Sequence, residues 1–574
     1  MPPALRARPS ASPARSRSPS KRRTSPRTAA APPSTGLGAG LRAWFIHKLV
    51  EYRAVVLVCF ACPVSFVLWL VSEVRARYAE ATSTPDGHAK RVEEVAAHVR
   101  AWATSPAEGR RMMCTARPSY MNLSTRFVDK EVLHKVRLSH LRSVLSVDAL
   151  PGKEGTVTVE PNVTVGAMCR RLAPGHMLAV CLEIEDATLG GLAMGVGMTT
   201  ASHVYGLYQE TILSMDVVVA DGSVVHATRS NEHADLFKCL PWSHGSLGFL
   251  VSLTLKVVPA KPHVRLTYTP TASQAECCAL VRELANAEPP PAFVEATIFS
   301  RDAAVVTHGI FDDADTEAKR AAINPISRWH KKWWYTHVRD VCDEGVARVE
   351  YVPLRHYLLR HNKAIFWTLQ DMIPPWLGNA APFRWALGWM VPPAVSLLKW
   401  TTFPEFRNLT FCKQVFQDIV LPMTELESAL EFAQELFGIY PVLVYPCRVF
   451  DHGPAGNGQM RSPRPDQMVR KDSGMFFDLG VYGVPLACKE KRRYDPVAPM
   501  RAMEKFIRKV GGYSFLYADT FLTRAELREM FDHATYDKVR EAYGAEGAFP
   551  ELYDKVKPEV DVVAIGKQYV DIII

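Results

Sequence analysis

Thr188-Leu189-Gly190-Gly191-Leu192-Ala193-Met194-Gly195-Val196-Gly197-Met198-Thr199-Thr200 is the stretch on which the fold of this chain turns. Gly190, Gly191, Gly195 and Gly197 lack a Cβ, so their backbone N–H groups can approach a dinucleotide's pyrophosphate closely and positive φ is open to them. The spacing is not the Rossmann fingerprint: Gly195-x-Gly197 has no third glycine after it, and no strand-turn-helix unit frames it. Alone, the run is either a structural turn or a phosphate cradle. Its surroundings decide between the two.

Upstream, Val92, Val95, Ala96 and Val99 fall at helical spacing. Met112–Thr115, Thr156–Glu160 and Leu178–Leu182 read as strands, and Val165–Leu172 as a helix. Downstream, Met215–Ala220 and Ser223–Ala227 flank Asp221-Gly222, a hairpin turn where positive φ is tolerated. Glu232–Leu240 reads as a helix, and in Phe249–Val258 Leu253, Leu255 and Val257 alternate with Ser252, Thr254 and Lys256. Pro259-Ala260-Lys261-Pro262 closes this section, and a second α+β region follows with a Trp- and Pro-rich stretch, Ile373–Trp400. The expectation is an α+β protein with one domain over 91–260 and another over 261–556, then an extension, 557–574, whose role is not legible.

The net charge of +9 belongs to the N-terminus, since nine Lys and Arg and no acid lie within the first 42 residues. The remainder is neutral, which argues against a nucleic-acid partner. Residues 1–42, dominated by Pro, Ser, Ala and Arg, bury too little apolar surface to offset ordering and read as a disordered basic tail. Residues 54–72 carry no charge over nineteen positions, about enough helix to cross ~30 Å of hydrocarbon. Trp44, Tyr52, Trp69 and Tyr78 flank this anchor as interfacial aromatics do, and Pro63 either kinks it or makes it re-entrant. The twelve cysteines show neither zinc-knuckle nor disulfide-framework spacing, and no metal site is expected.

The order of segments resembles the FAD-binding domain shared by vanillyl-alcohol oxidase and p-cresol methylhydroxylase, the PCMH-type fold. Cys114-Thr115-Ala116-Arg117-Pro118-Ser119-Tyr120 is similar to its first pyrophosphate loop. The glycine run with His203, Tyr205 and Gly206 is similar to the second, and Gly245 to Phe249, including Gly248, to the closing segment. Within that superfamily the chain most resembles the Δ24-sterol reductases, also called Diminuto-like proteins, from about Val92 to Lys555. Val217–Ser223, Glu350–Tyr357, Gly388–Pro393 and Leu516-Tyr517-Ala518-Asp519 carry this likeness. Ala116 stands where that family's loop more often has glycine. The resemblance implies FAD held by Arg117, Pro118, Ser119, Thr188 through Thr200, His203, Tyr205, Gly206 and Gly248. Arg117-Pro118-Ser119-Tyr120 offers no His or Cys for a covalent link, so the flavin is expected to be noncovalent.

Family membership further implies reduction of a sterol C24=C25 bond with NADPH. The basic tail before the anchor predicts a cytosolic N-terminus and, with one crossing, a lumenal body, whereas cofactor supply and the scattered free cysteines favour a cytosolic body on the endoplasmic reticulum, held by a re-entrant anchor or as an exception to the charge rule. An isolated alkene needs a positioned acid as well as hydride. Glu183, Glu185 and Asp186 before the glycine run, and Tyr517 and Asp519, are the candidate donors. Arg355, His356, Arg360 and His361 form a basic cluster that either meets cofactor phosphates or is a solvated helix face. Trp376, Trp385, Trp389 and Trp400 either face the membrane or fill the core. Two other functions stay open: a flavin oxidase or dehydrogenase of an alcohol, and a non-enzymatic sterol-binding scaffold.

Overall fold

The computed structural model describes residues 41, 44, 45, 48, 52–82, 85–122, 130–401, 412–453, 456–518 and 520–557. Asp519, most of the basic tail and nearly all of the C-terminal extension lie outside the described residues. A compact unit begins at Tyr52.

The anchor runs as Arg53–Val56, a wider π-helical turn Leu57–Ala61, and Cys62–Thr82. The π turn sits immediately before Pro63, whose missing N–H frees a carbonyl one turn back; widening that turn lets the helix pass the proline. Arg53–Arg75 has a mean hydropathy of 2.6, long and apolar enough to cross a membrane. Leu57, Cys62 and Ser65 are buried, and the Phe66 ring meets Trp389 edge-on at 4.6 Å.

The first domain opens with the parallel pair β1 (Met113–Thr115) and β2 (His134–Val136). Its main sheet comprises β3 (Val144–Asp148), β4 (Gly155–Val159), β5 (His176–Leu178), β6 (Ile212–Val218), β7 (Val224–Thr228) and β8 (Phe249–Pro259). The order is β3-β4-β8-β6-β7, with β5 on the end of β8 and every pair antiparallel. The β6–β7 hairpin turns at Asp221-Gly222, where Gly222 has φ +85° and Asp221 Oδ1 accepts from the Ser223 N–H at 2.8 Å. Val165–Leu172 is the expected helix, capped by Thr164 Oγ1 accepting from the Ala167 N–H.

The expected strand Leu178–Leu182 is shorter: His176–Leu178 pairs with the neighbouring strand, the Ala179 N–H adds a bond to Lys256 O at 3.3 Å, and Val180 and Cys181 continue as buried chain. A short apolar run looks the same in a strand and in a buried crossing segment. This crossing brings Glu183 under the second domain.

The second domain is a nine-stranded sheet. Its strands are β9 (His263–Thr271), β10 (Phe293–Ser300), β11 (Ala303–Asp312), β12 (Arg348–Pro353), β13 (Val415–Pro422), β14 (Val442–Phe450), β15 (Met468–Arg470), β16 (Ser473–Gly483) and β17 (Tyr513–Ser514). They run β12-β9-β11-β10-β14-β16-β13-β17, with β15 on β16. Gln274–Asn286, Trp334–Glu344, Leu426–Leu436 and Ala498–Val510 are its main helices, and Ser202–Tyr205 of the first domain packs on β14.

Residues 534–556 belong by position to the second domain, yet they return to the first. Ala545, Ala548 and Phe549 share a core with Val92, Val95, Val99 and Met113. The Met113 N–H donates to Ala548 O at 2.7 Å, and Arg540 donates to Ser246 O at 2.6 Å.

Candidate functional site: the glycine segment and a buried polar row

The glycine run is a short helix rather than an open loop: Thr188 is extended, Leu189–Gly195 is helical, and the chain leaves through Val196 at φ +63°. That conformation is an outlier for a β-branched residue, of the kind that collects at functional sites. The glycines divide by role. A Cβ on Gly190 would lie 2.3 Å from Pro161 Cβ, and one on Gly248 2.6 Å from Val217 Cγ1, so these two serve close packing. A Cβ on Gly195 would meet only His244 Cε1, at 3.6 Å, which leaves that backbone open.

Beyond the helix the buried N–H groups of Gly197, Met198 and Thr200 find no acceptor among the described residues. Arg117 Nε is likewise buried without a partner, while its Nη2 donates to Met121 O at 2.9 Å. Buried donors left without acceptors are costly, so this set calls for an acceptor-rich anion. The dinucleotide implied by the family supplies one, and the donor set fits its pyrophosphate.

His203 occupies both ring nitrogens within the protein, at 3.1 Å from Thr200 O and 2.9 Å from Pro291 O. Burial pushes its pKa down to about 4, against the pull of those two carbonyls; the neutral ring donates to one of them and lies against the other. Tyr205 is half-buried beneath Lys256, and Gly206 has φ +75°. Pro118 leads into the turn Ser119–Met121, whose carbonyls face Lys399, with Nζ 3.5 Å from Ser119 O and 3.1 Å from Asn122 O.

The candidate acids separate clearly. Glu185 is tied to Arg355 at 2.8 Å and Arg170 at 3.2 Å, which makes it an ion-pair partner. Asp186 has its pKa raised by burial and by Glu185, with Arg117 opposing. Glu183 is buried; burial lifts its carboxyl to about 7, while Arg360 pulls the other way. The Tyr517 hydroxyl donates to Asp418 Oδ2 at 2.7 Å.

The basic cluster is likewise split. Arg355 stays at the surface with Glu185, whereas Arg360 and His361 are buried. Arg360 Nη2 donates to Glu295 Oε2 at 2.8 Å and to Tyr445 OH at 2.9 Å, and lies 3.6 Å from Glu183 Oε1. His361 Nε2 lies 3.2 Å from Tyr445 OH; burial and the neighbouring guanidinium hold it neutral.

These groups extend a row across the second sheet. Tyr445 on β14 pairs with Asp478 on β16, and Asp418 on β13 pairs with Gly480, two residues further along β16 on the same face. Tyr482 also donates to Asp418. Burial raises Asp418 to about 6 and, with the charges of Asp418 and Glu183, lifts Asp478 well above the carboxylate range. The row therefore gathers buried carboxyls, two of which hold a proton more tightly than a solvated carboxyl does. Glu183 joins it to the glycine segment through Thr199, and Tyr357 joins it through a 3.2 Å bond to Thr200 Oγ1.

Asp418, Asp478 and Glu295 escaped the sequence reading. Each is a single acid inside an apolar strand, and that break in an otherwise buried run is the signal that marks them.

A family model described as FAD binding domain matches residues 89–228. The Delta(24)-sterol reductase of Homo sapiens is 37% identical over 511 residues, covering 88% of this chain and 94% of that protein. The Caenorhabditis elegans Delta(24)-sterol reductase homolog is 34% identical over 523 residues, 88% of this chain and 95% of its own. The Arabidopsis thaliana enzyme is 30% identical over 531 residues, 89% and 93% respectively. Near-complete coverage in animals and a plant, on a fold with an anchor, a flavin-type domain and a buried acid row, places this chain in the Δ24-sterol reductase family of FAD-dependent oxidoreductases.

Proposed function

We propose that the protein reduces the C24=C25 double bond of a sterol side chain with NADPH. The observation that carries this reading is the Asp418–Tyr517 pair, its carboxyl buried and its ring half-buried, joined through the acid row to the glycine segment. Thr188 to Thr200, with Arg117, Pro118 and Ser119, hold FAD noncovalently, and His203, Tyr205, Gly206 and Gly248 brace that segment. FAD, when bound, supplies hydride drawn from NADPH.

The protein's own part is the proton. An isolated trisubstituted alkene has no carbonyl to polarise, so C24 must take a proton as C25 takes hydride. The Tyr517 hydroxyl gives that proton, and Asp418, which accepts from that hydroxyl and whose carboxyl burial raises to about 6, relays its replacement. The dry surroundings exclude water from the reacting carbons. Purified protein incubated with FAD, NADPH and a panel of Δ24 and 24-methylene sterols is expected to yield the saturated side chain, read by mass. No reduced sterol from any of them overturns the reading.

Exposed Trp376, Trp385, Trp389 and Trp400, with Trp389 against the anchor's Phe66, support a membrane-facing entrance for the sterol. The body sits on the cytosolic face of the endoplasmic reticulum, where its free thiols stay reduced and NADPH is at hand. Protease added to sealed microsomes should digest the body; a fully protected body sinks this orientation.

A further inference from the structure

Three cations gather around the first loop with no carboxylate to balance two of them. Lys130 Nζ donates to Thr115 O, Thr115 Oγ1 and Arg117 O at 3.1, 3.2 and 2.7 Å, holding the loop in shape. Lys555, on the helix Leu552–Val556 more than four hundred residues later, donates to Gly245 O at 3.1 Å. Among the described residues neither lysine forms an ion pair, and Asp554 beside Lys555 is taken by Arg524 and Lys557.

Burial, with the like charges of Lys130 and Arg540, lowers the Lys555 pKa to about 8, against the pull of Cys114. Cys114 is the residue on which the first loop begins. The carbonyl that Lys555 holds lies in a contorted turn, with φ of +67° at Trp242, +48° at His244 and +74° at Gly245. The His244 N–H of that turn donates to Met194 O, so the turn is fastened to the end of the glycine helix. Packing like charges together around the loop and the turn that ends the glycine helix is unfavourable until an anion arrives.

We propose that Lys555 completes the binding site for the cofactor's pyrophosphate, supplying from the C-terminal helix a cation that acts with Arg117 and Lys130. This rests on the assignment of the Arg117 loop to the pyrophosphate. Lys130 shapes the loop, Arg117 reaches in from it, and Lys555 closes the site from the side of the Gly245 turn. The C-terminal helix lies well outside the region, 89–228, that resembles other FAD-binding domains, so cofactor affinity depends on a part of the chain that the domain alone does not contain.

The test is FAD binding to the full-length, detergent-solubilised apoprotein, followed by flavin fluorescence for wild type, Lys555→Met, Lys555→Arg and Arg117→Met. Titrations are run below the thermal midpoint of each apoprotein. Lys555→Met should weaken FAD by ~10- to 100-fold, the loss of one charge-assisted contact, and Lys555→Arg should recover most of it. An affinity within threefold of wild type in Lys555→Met, or a loss that Arg does not recover, overturns the proposal and leaves Lys555 a staple for Gly245. Weakening in Arg117→Met alone sinks only the role of Lys555; unchanged affinity in both variants sinks the loop assignment with it.

Discussion

Arg360→Leu should cost about 3–5 kcal/mol of stability, the penalty of breaking a buried ion pair and stranding its partners. The side chains of Arg360, Glu295 and Glu183 are 1%, 1% and 4% exposed, so neither carboxyl can turn to water when the guanidinium goes. Leucine also leaves the Tyr445 hydroxyl without that donor. The loss has a pH signature. Glu183 already has its folded pKa raised from 4.5 to about 7, so its contribution is full below about 4.5 and is lost as pH rises through about 7. Without Arg360 the Glu183 carboxyl is pushed further toward its neutral form, and the deficit should be smaller at acidic pH than at alkaline pH. Denaturant unfolding across that range measures it; a deficit under about 1 kcal/mol at every pH would mean that water reaches the cluster. The double variant Arg360→Leu with Glu295→Leu should recover part of the loss.

Tyr517→Phe should lower turnover by ~10²- to 10⁴-fold, the range for removing a positioned general acid, with FAD affinity unchanged. Phenylalanine keeps the ring that stacks on Phe515 at 5.4 Å and deletes only the hydroxyl that meets Asp418. Asp418→Asn should lower turnover too, since an amide cannot return a proton to the tyrosine. Single-turnover oxidation of the NADPH-reduced enzyme by sterol isolates this step. A fall of less than tenfold in Tyr517→Phe would move the donor elsewhere, and Glu183, with a carboxyl near neutrality beside the glycine segment, would be the next to replace.

Much of the first domain could be read in advance because its signals are local. Asp221-Gly222 between β-branched runs is a turn wherever it stands, and Thr164 followed by an amphipathic octet starts a helix without help from the fold. The conformation of the glycine run was not legible, since a run of small residues fits a helix as well as a loop; in the structure it is helical, with Gly190 against Pro161. The acids were the hardest part. Glu185 and Glu183 stand two residues apart in one polar-looking stretch, yet one meets Arg355 at the surface and the other Arg360 in the interior. Only the register of β14, β16 and β13 gathers Tyr445, Asp478 and Asp418 on one face, and register is a relation between segments far apart in the chain.

The return of residues 534–556 to the first domain fixes the order in which this protein can mature. The strand that starts at Met113 waits for Ala548, and at ribosomal speeds that interval is on the order of tens of seconds. Throughout it Val92, Val95, Val99 and Met113 lack Ala545, Ala548 and Phe549, part of the core they share in the finished molecule. The nascent chain therefore emerges with its anchor made and an apolar surface still open, a client for chaperones at the bilayer until its last helices are released.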